Sequence, residues 1–215
     1  MARSYDIDSI GYLRRARARL SEGTHEALFY AAYELRCGTE SRLQDYLEAR
    51  ADIAKKKKKG WQIMDSAKEL DRAIRLGDKI AEASIIDSDG AIIVAAFYTP
   101  VSSRLRETAG ARLHNLLHAM KTPFDNDDRW WADSRTFLEQ IYADLELSSK
   151  GTLVGPMMRA PNGKAFDMML SIRHDSPIAD KVSLFGQVGT VAKIRIRYHD
   201  SLPNYATPFL NPTAA

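Results

Sequence analysis

The sequence predicts an α+β protein in two parts. A mainly helical domain over residues 1–150 carries an inserted β-hairpin, and a small strand–strand–helix–strand subdomain with an irregular tail occupies 151–215. Three observations carry this reading. One stretch, Thr24 to Lys59, repeats apolar residues in steps of three and four. The pattern turns strand-like between Lys79 and Tyr98. From Gly151 onward the period falls to two. A chain of 215 residues can bury a core large enough for one domain with an appendage or for two small domains.

The Thr24–Lys59 stretch is the expected organising helix. Leu28, Ala32, Leu35, Thr39, Leu43 and Tyr46/Leu47 form its stripe, and Thr24 can cap its first free N–H groups. Lys55 to Lys59 complement the negative end of the helix dipole, and Gly60 stops it. A shorter helix precedes it, with Ile10, Leu13, Ala16 and Leu20 on one face and arginines mostly on the other. A third helix is marked by Ile63, Ala67, Leu70 and Ile74 and ends at Gly77. The runs AEASIID and AIIVAAFY around Ser88-Asp89-Gly90 form the hairpin. A fourth helix covers about Ser102 to Lys121, with Leu105, Ala109, Leu113, Leu116 and Met120 toward the core and Gly110 weakening its middle. A fifth runs from Asp128 to Leu147, where the adjacent Trp130 and Trp131 must face different directions. Beyond Gly151, Asn162-Gly163 suits a hairpin turn and Ser176-Pro177 a helix start. In the closing strand TVAKIRIRYHD, Ala192, Ile194, Ile196 and Tyr198 face one way and Lys193, Arg195, Arg197 and His199 the other.

Composition narrows the function classes. Hydrophobic content of 45% and mean hydropathy of -0.35 fit a soluble globular chain. The longest apolar run, Ala91 to Tyr98, is too short for a membrane span, so no membrane partner is expected. Acidic residues in MARSYDIDSIGYLRR stand where a signal peptide needs an apolar core, and Cys37 is the only cysteine, so a cytoplasmic location is expected. The net charge of +3 is mild, but it gathers in Arg14, Arg15, Arg17 and Arg19, in Lys55 to Lys59, and in Lys193, Arg195 and Arg197. Phosphate cradles and nucleophile elbows are missing from the sequence, so no nucleotide cofactor is expected.

Two constellations carry candidate chemistry. In RLHNLLH, Arg112 could stabilise developing phosphate charge while His118 moves a proton, which is what metal-independent RNA cleavage needs. On a continuous helix the two are about 240° apart, so they need a bend or a symmetry mate to share one phosphate. His114 and His118 stand at i and i+4, the spacing of a two-histidine metal pair, but no third ligand is evident and no metal is expected. The second constellation is basic: Lys55, Lys56, Lys57, Lys58 and Lys59 with Trp61 could meet a phosphate backbone and stack on a base. Lys193, Arg195 and Arg197 could add a sheet platform. A solvated helix end and a solvent-facing sheet explain the same residues without a partner.

The segment HEALFYAAYELRCGTESRLQDYL, with small residues and the Arg36/Glu40 pair, resembles the leading long helix of HEPN-type domains, and the resemblance extends loosely to RLHNLLH, covering roughly residues 8–121. It implies a helical module of the kind found in bacterial toxin, antitoxin and phage-defence proteins. It further implies a ribonuclease site of the Arg-x4-6-His type, usually formed across a homodimer, with Arg112 stabilising phosphate and His118 as general acid or base. Members without that site serve as binding or scaffold proteins. The alternative expectation is therefore a non-catalytic module that binds nucleic acid or a protein partner through its basic surfaces.

Overall fold

The computed structural model describes residues 5–60, 62–87, 89–119, 122–153 and 193–211. The protein is α+β, with helices and one three-stranded antiparallel sheet among the described residues. It divides into two compact units. One contains Met1–Asp78 and Pro100–Lys150, the other Lys79–Thr99 and Gly151–Asn211. The hairpin, expected as an insertion within the helical domain, belongs instead to the second unit. Its first strand sits at the centre of the sheet and pairs with the last strand of the chain.

In the helical unit, α1 spans Ser9–Ser21 and α2 His25–Glu48. Asp8 caps α1 by accepting from the Gly11 N–H, and Thr24 caps α2 by accepting from the Ala27 N–H. Leu28, Leu35, Leu43 and Leu47 of α2 are at most 1% exposed, each contributing about 1.5–3 kcal/mol by burial. Against α2 pack α1, α3 (Ile63–Ile74) and α6 (Arg129–Lys150), the last through Leu138, Ile141, Tyr142 and Leu145. Gly38 allows the closest approach: a Cβ there would lie 2.8 Å from Leu145 Cδ2 and 3.0 Å from Tyr12 Cβ. Buried Arg42 ties α2 to the end of α6, its Nε donating to the Ser148 carbonyl at 2.9 Å, where the helix dipole is negative.

The organising helix is shorter than its sequence pattern. It ends at Glu48, and Lys55–Lys58 form a separate 3-10 turn in the loop to α3. Arg50, only 8% exposed, turns that loop by clamping Asp52 with two bonds of 2.8 Å. On a continuous helix Lys55 and Lys59 would repel at i,i+4, and Lys55/Lys58 and Lys56/Lys59 at i,i+3, so a turn outside the helix suits the lysines better than a helix end. α3 stops at Arg75, which takes a left-handed φ of 55°, two residues before the glycine expected to end it.

In the second unit, β1 (Ile80–Ile86) and β2 (Ile92–Tyr98) form the expected hairpin, and β3 (Lys193–His199) pairs along the free side of β1. Ile80, Phe97 and Ala206 make a small core, the last from a 3-10 turn over Asn204–Phe209. The faces of β3 are the reverse of the expectation. Ile194, Ile196 and Tyr198 are 61%, 37% and 51% exposed, while Arg195 and His199 turn toward Glu82, which is 0% exposed. A buried carboxylate on β1 needs donors, and that need sets which face of β3 points inward. The hairpin and helix expected between 154 and 192 lie outside the described residues, as do Trp61 and the side chain of Lys193.

Candidate functional site

The helix expected from Ser102 to Lys121 is broken in a way that bears on chemistry. α4 (Ser103–Glu107) passes into a π-helical turn over Thr108–Arg112, where the Leu113 N–H reaches back five residues to the Thr108 carbonyl at 3.0 Å. α5 (His114–Leu117) follows, and His118 leaves the helix with extended backbone, φ -112° and ψ 162°. Leu105, Ala109, Leu113 and Leu116 stay buried through the break, so the core stripe is kept while the solvent face is re-aimed. The 240° divergence of a regular helix does not apply to this segment.

Arg112 and His118 are both exposed, and they line adjoining concavities. The first, about 210 Å³, is bordered by Arg112, Asn115, Leu116, Trp130, Asp133 and Phe137. The second, about 500 Å³, includes His114, Asn115, His118, Thr122, Phe124 and Trp130. Asn115 and Trp130 are common to both. The Arg112 guanidinium lies 5.2 Å over the Phe137 ring, a contact worth roughly 0.5–1 kcal/mol at an exposed position. Among the described residues Arg112 has no ion pair and the His118 ring no hydrogen bond, which leaves both free for a ligand. Asp133 brings one negative charge to the Arg112 side, and Arg129 pairs with it at 3.4 Å.

The two tryptophans divide their work. Trp131, half-buried, lies against α2, stacked on His25 at 4.0 Å and edge-on to Phe29, with its indole N–H donating to the Asp125 carbonyl. Trp130, nearly perpendicular to it, stacks on Phe124 at 4.6 Å on the wall of the concavities. Asp128 holds this corner by accepting from the Trp130 N–H at 2.8 Å. Asn115, Phe124, Trp130 and Phe137 were not among the residues the sequence singled out for the site. The tryptophan pair was the legible signal, since one of two adjacent rings had to face away from the core.

The basic residues are dispersed by their partners. Lys57 donates to Glu69 at 2.7 Å, and Lys58, 11% exposed in its side chain, reaches the Glu48 carbonyl at 3.4 Å. Lys55, Lys56 and Lys59 are exposed and unpaired among the described residues. The arginines of α1 are engaged too: Arg14 with Asp6, Arg15 with Glu34, Arg17 with Glu139 and Arg19 with Glu22. Arg195 stands 3.5 Å from Glu82, which draws it out of the basic face expected of the strand, while Arg197 is exposed.

Glu82 is the centre of a second polar cluster. The Tyr205 hydroxyl donates to it at 2.6 Å and His199 Nε2 at 2.8 Å. Burial would raise its pKa, but the hydrogen bonds from Tyr205, Ser84 and His199 outweigh burial and hold the carboxyl below its ordinary value. The same burial and the adjacent carboxylate push the Tyr205 phenol up. This cluster anchors β3 and the Asn204–Phe209 turn onto β1. Among the described residues no group of three or more histidine, cysteine or acidic side chains gathers to hold a metal ion, and no helix is long and apolar enough to cross a membrane. Compared with known proteins, the chain matches no family model, no curated protein and no solved structure.

Proposed function

We propose that the protein is RNA-directed and cleaves its substrate without a metal, with Arg112 and His118 in the roles that the HEPN resemblance assigns to them. One observation supports this above the others: the π-helical turn and the extended backbone at His118 leave both side chains exposed on adjoining concavities that share Asn115 and Trp130. A nucleobase can stack on the Trp130–Phe124 pair, where an aromatic contact is worth about 1–3 kcal/mol per base. The adjoining phosphodiester then meets the Arg112 guanidinium, whose planar fork neutralises charge on two phosphate oxygens. The His118 imidazole moves the proton that the departing or attacking oxygen requires. Side chains alone supply this chemistry, and a homodimer that brings a second Arg112 and His118 alongside is compatible with it.

The test is cleavage of single-stranded RNA in excess chelator by the purified protein and by Arg112→Ala and His118→Ala variants of unchanged melting temperature. Both variants lose about 10²-fold or more in rate. Equal cleavage by the His118→Ala variant removes the assignment.

The second reading is a non-catalytic module that holds RNA or another polyanion. It is favoured by Lys55, Lys56 and Lys59, which have no ion pair among the described residues. Under this reading the protein binds RNA with steep salt dependence and leaves it intact.

A further inference from the structure

The chain leaving the lysine turn runs to the π-helical turn that carries Arg112. α3 lies antiparallel to α4 and that turn. Near the end of α3, Arg106 bonds Asp71 at 2.6 Å; at its start, a Cβ on Gly110 would lie 3.4 Å from Ile63 Cγ2 and 3.6 Å from Met64 Cγ. Moving toward the start of α3 is therefore moving toward Arg112, two residues beyond Gly110. Lys59 precedes Ile63 by four residues, so at about 3.8 Å between successive Cα atoms it lies within about 15 Å of that start. Lys57 ties the rest of the lysine turn beside α3 through its 2.7 Å bond to Glu69. All of these residues belong to one compact unit. The carboxylates along α3 are answered within the protein: Glu69 by Lys57 and Arg72, Asp65 by Lys68, Asp71 by Arg106. Lys55, Lys56 and Lys59 have no ion pair among the described residues, so their three positive charges are left over. Met64, 46% exposed, adds a flexible apolar side chain beside Gly110 on which a base can lie.

We infer that Lys55, Lys56 and Lys59 grip the RNA strand on one side of the phosphate held by Arg112, with the strand crossing Met64 at the start of α3, a role that rests on the cleavage reading above. Arg112 stands between two neighbours: Phe137 of α6 lies under its guanidinium, and Gly110, two residues earlier, rests on the start of α3. A base stacked on Trp130 occupies the α6 side, so the strand that reaches the lysines leaves on the other. The substrate class is therefore single-stranded RNA with several nucleotides beyond the cut on that side, since a dinucleotide reaches only Arg112 and His118. Basic grooves that follow a single strand take about 4–16 nucleotides. Each phosphate met by a lysine adds binding that is the same in the ground state and the transition state, because it lies away from the bond being broken. Such binding lowers KM and leaves kcat alone.

The test uses strands of 2′-O-methyl nucleotides that contain a single ribonucleotide, which metal-independent cleavage through the 2′-hydroxyl can cut at one linkage only. One flank is kept at a single nucleotide while the other is lengthened stepwise, first on the 5′ side and then on the 3′ side, and kcat and KM are measured in chelator. For the wild-type protein, lengthening one flank lowers KM and then levels off, while lengthening the other changes little. The Lys55→Ser, Lys56→Ser, Lys59→Ser variant, whose side chains are exposed and whose melting temperature is unchanged, loses that gain in KM. Its slope of log kcat/KM against log salt on the long-flanked strand is flatter by about two units, three phosphates at about 0.7 each. Lys57→Ser with Lys58→Ser keeps the gain. Met64→Glu, which sets a carboxylate in the path, raises KM on the long-flanked strand. A gain that is equal on both flanks, or that survives in the triple variant, overturns the inference and leaves the cleavage reading standing. Wild-type protein that leaves strands of every length uncut overturns both.

Discussion

Replacing Lys55, Lys56 and Lys59 with serine tests which lysines of the run can reach a polyanion. Sequence alone counts five cations in that run, but Lys57 is committed to Glu69 and Lys58 to the Glu48 carbonyl, and three are left. Each phosphate neutralised on a single strand contributes about 0.7 to the slope of log affinity against log salt, so three lysines account for about two units and five would account for about 3.5. Across roughly 50 to 200 mM salt, two units are worth about 20-fold in affinity. The assay is fluorescence anisotropy of a labelled single-stranded RNA over that salt range. The triple variant should flatten the slope by about two units, whereas Lys57→Ser with Lys58→Ser should change it by less than about half a unit. Equal flattening by the two variants would refute the reasoning, because it would mean the ion pairs do not withhold Lys57 and Lys58 from solution. An unchanged slope in both would show the whole run to be merely solvated.

Glu82→Gln should weaken the second unit by about 2–4 kcal/mol at neutral pH, since hydrogen bonds to a charged acceptor are worth about 1.5–3 each and glutamine retains one acceptor oxygen. The folded carboxyl titrates below its unfolded value, so this difference should be complete above about pH 4.3 and shrink as acid carries the protein through the lower folded value. Amide exchange along β1 measures it, and a pH-independent difference would show that shape, not charge, is at stake. Gly38→Ala should destabilise the helical unit by about 1–2 kcal/mol in urea, overpacking against Leu145 and Tyr12 outweighing the gain of about 1 kcal/mol in helix propensity. A more stable variant would contradict the close approach of α1, α2 and α6.

Much of the helical unit was legible in the sequence because its signal is local. The stripe Leu28, Leu35, Leu43 and Leu47 and the cap at Thr24 need only the helical period, and the structure has both. The end of α2 was misread because lysines complement a helix dipole equally well in a helix or beside one; what decides is the Arg50–Asp52 clamp, a contact between residues with no helical spacing. The inward face of β3 was misread for a non-local reason. Alternation shows that two faces differ, but which one turns in depends on Glu82, more than a hundred residues away, whose buried charge demands Arg195 and His199. Glu82 near the start of the strand-like run AEASIID was the available sign. At the candidate site, Arg112 and His118 were legible as residue types. The π-helical turn that re-aims them was not, although Gly110 marked the weak point, because a bulge depends on how Leu105, Ala109 and Leu113 are accommodated in the core.

The most direct measurement of the proposed activity is the chemistry of the ends left on RNA after incubation with the protein in chelator. Cleavage through the 2′-hydroxyl predicts a 2′,3′-cyclic phosphate on one fragment and a 5′-hydroxyl on the other, with no cut at a position carrying 2′-deoxyribose. Intact RNA, or fragments ending in 3′-hydroxyl and 5′-phosphate, would contradict it.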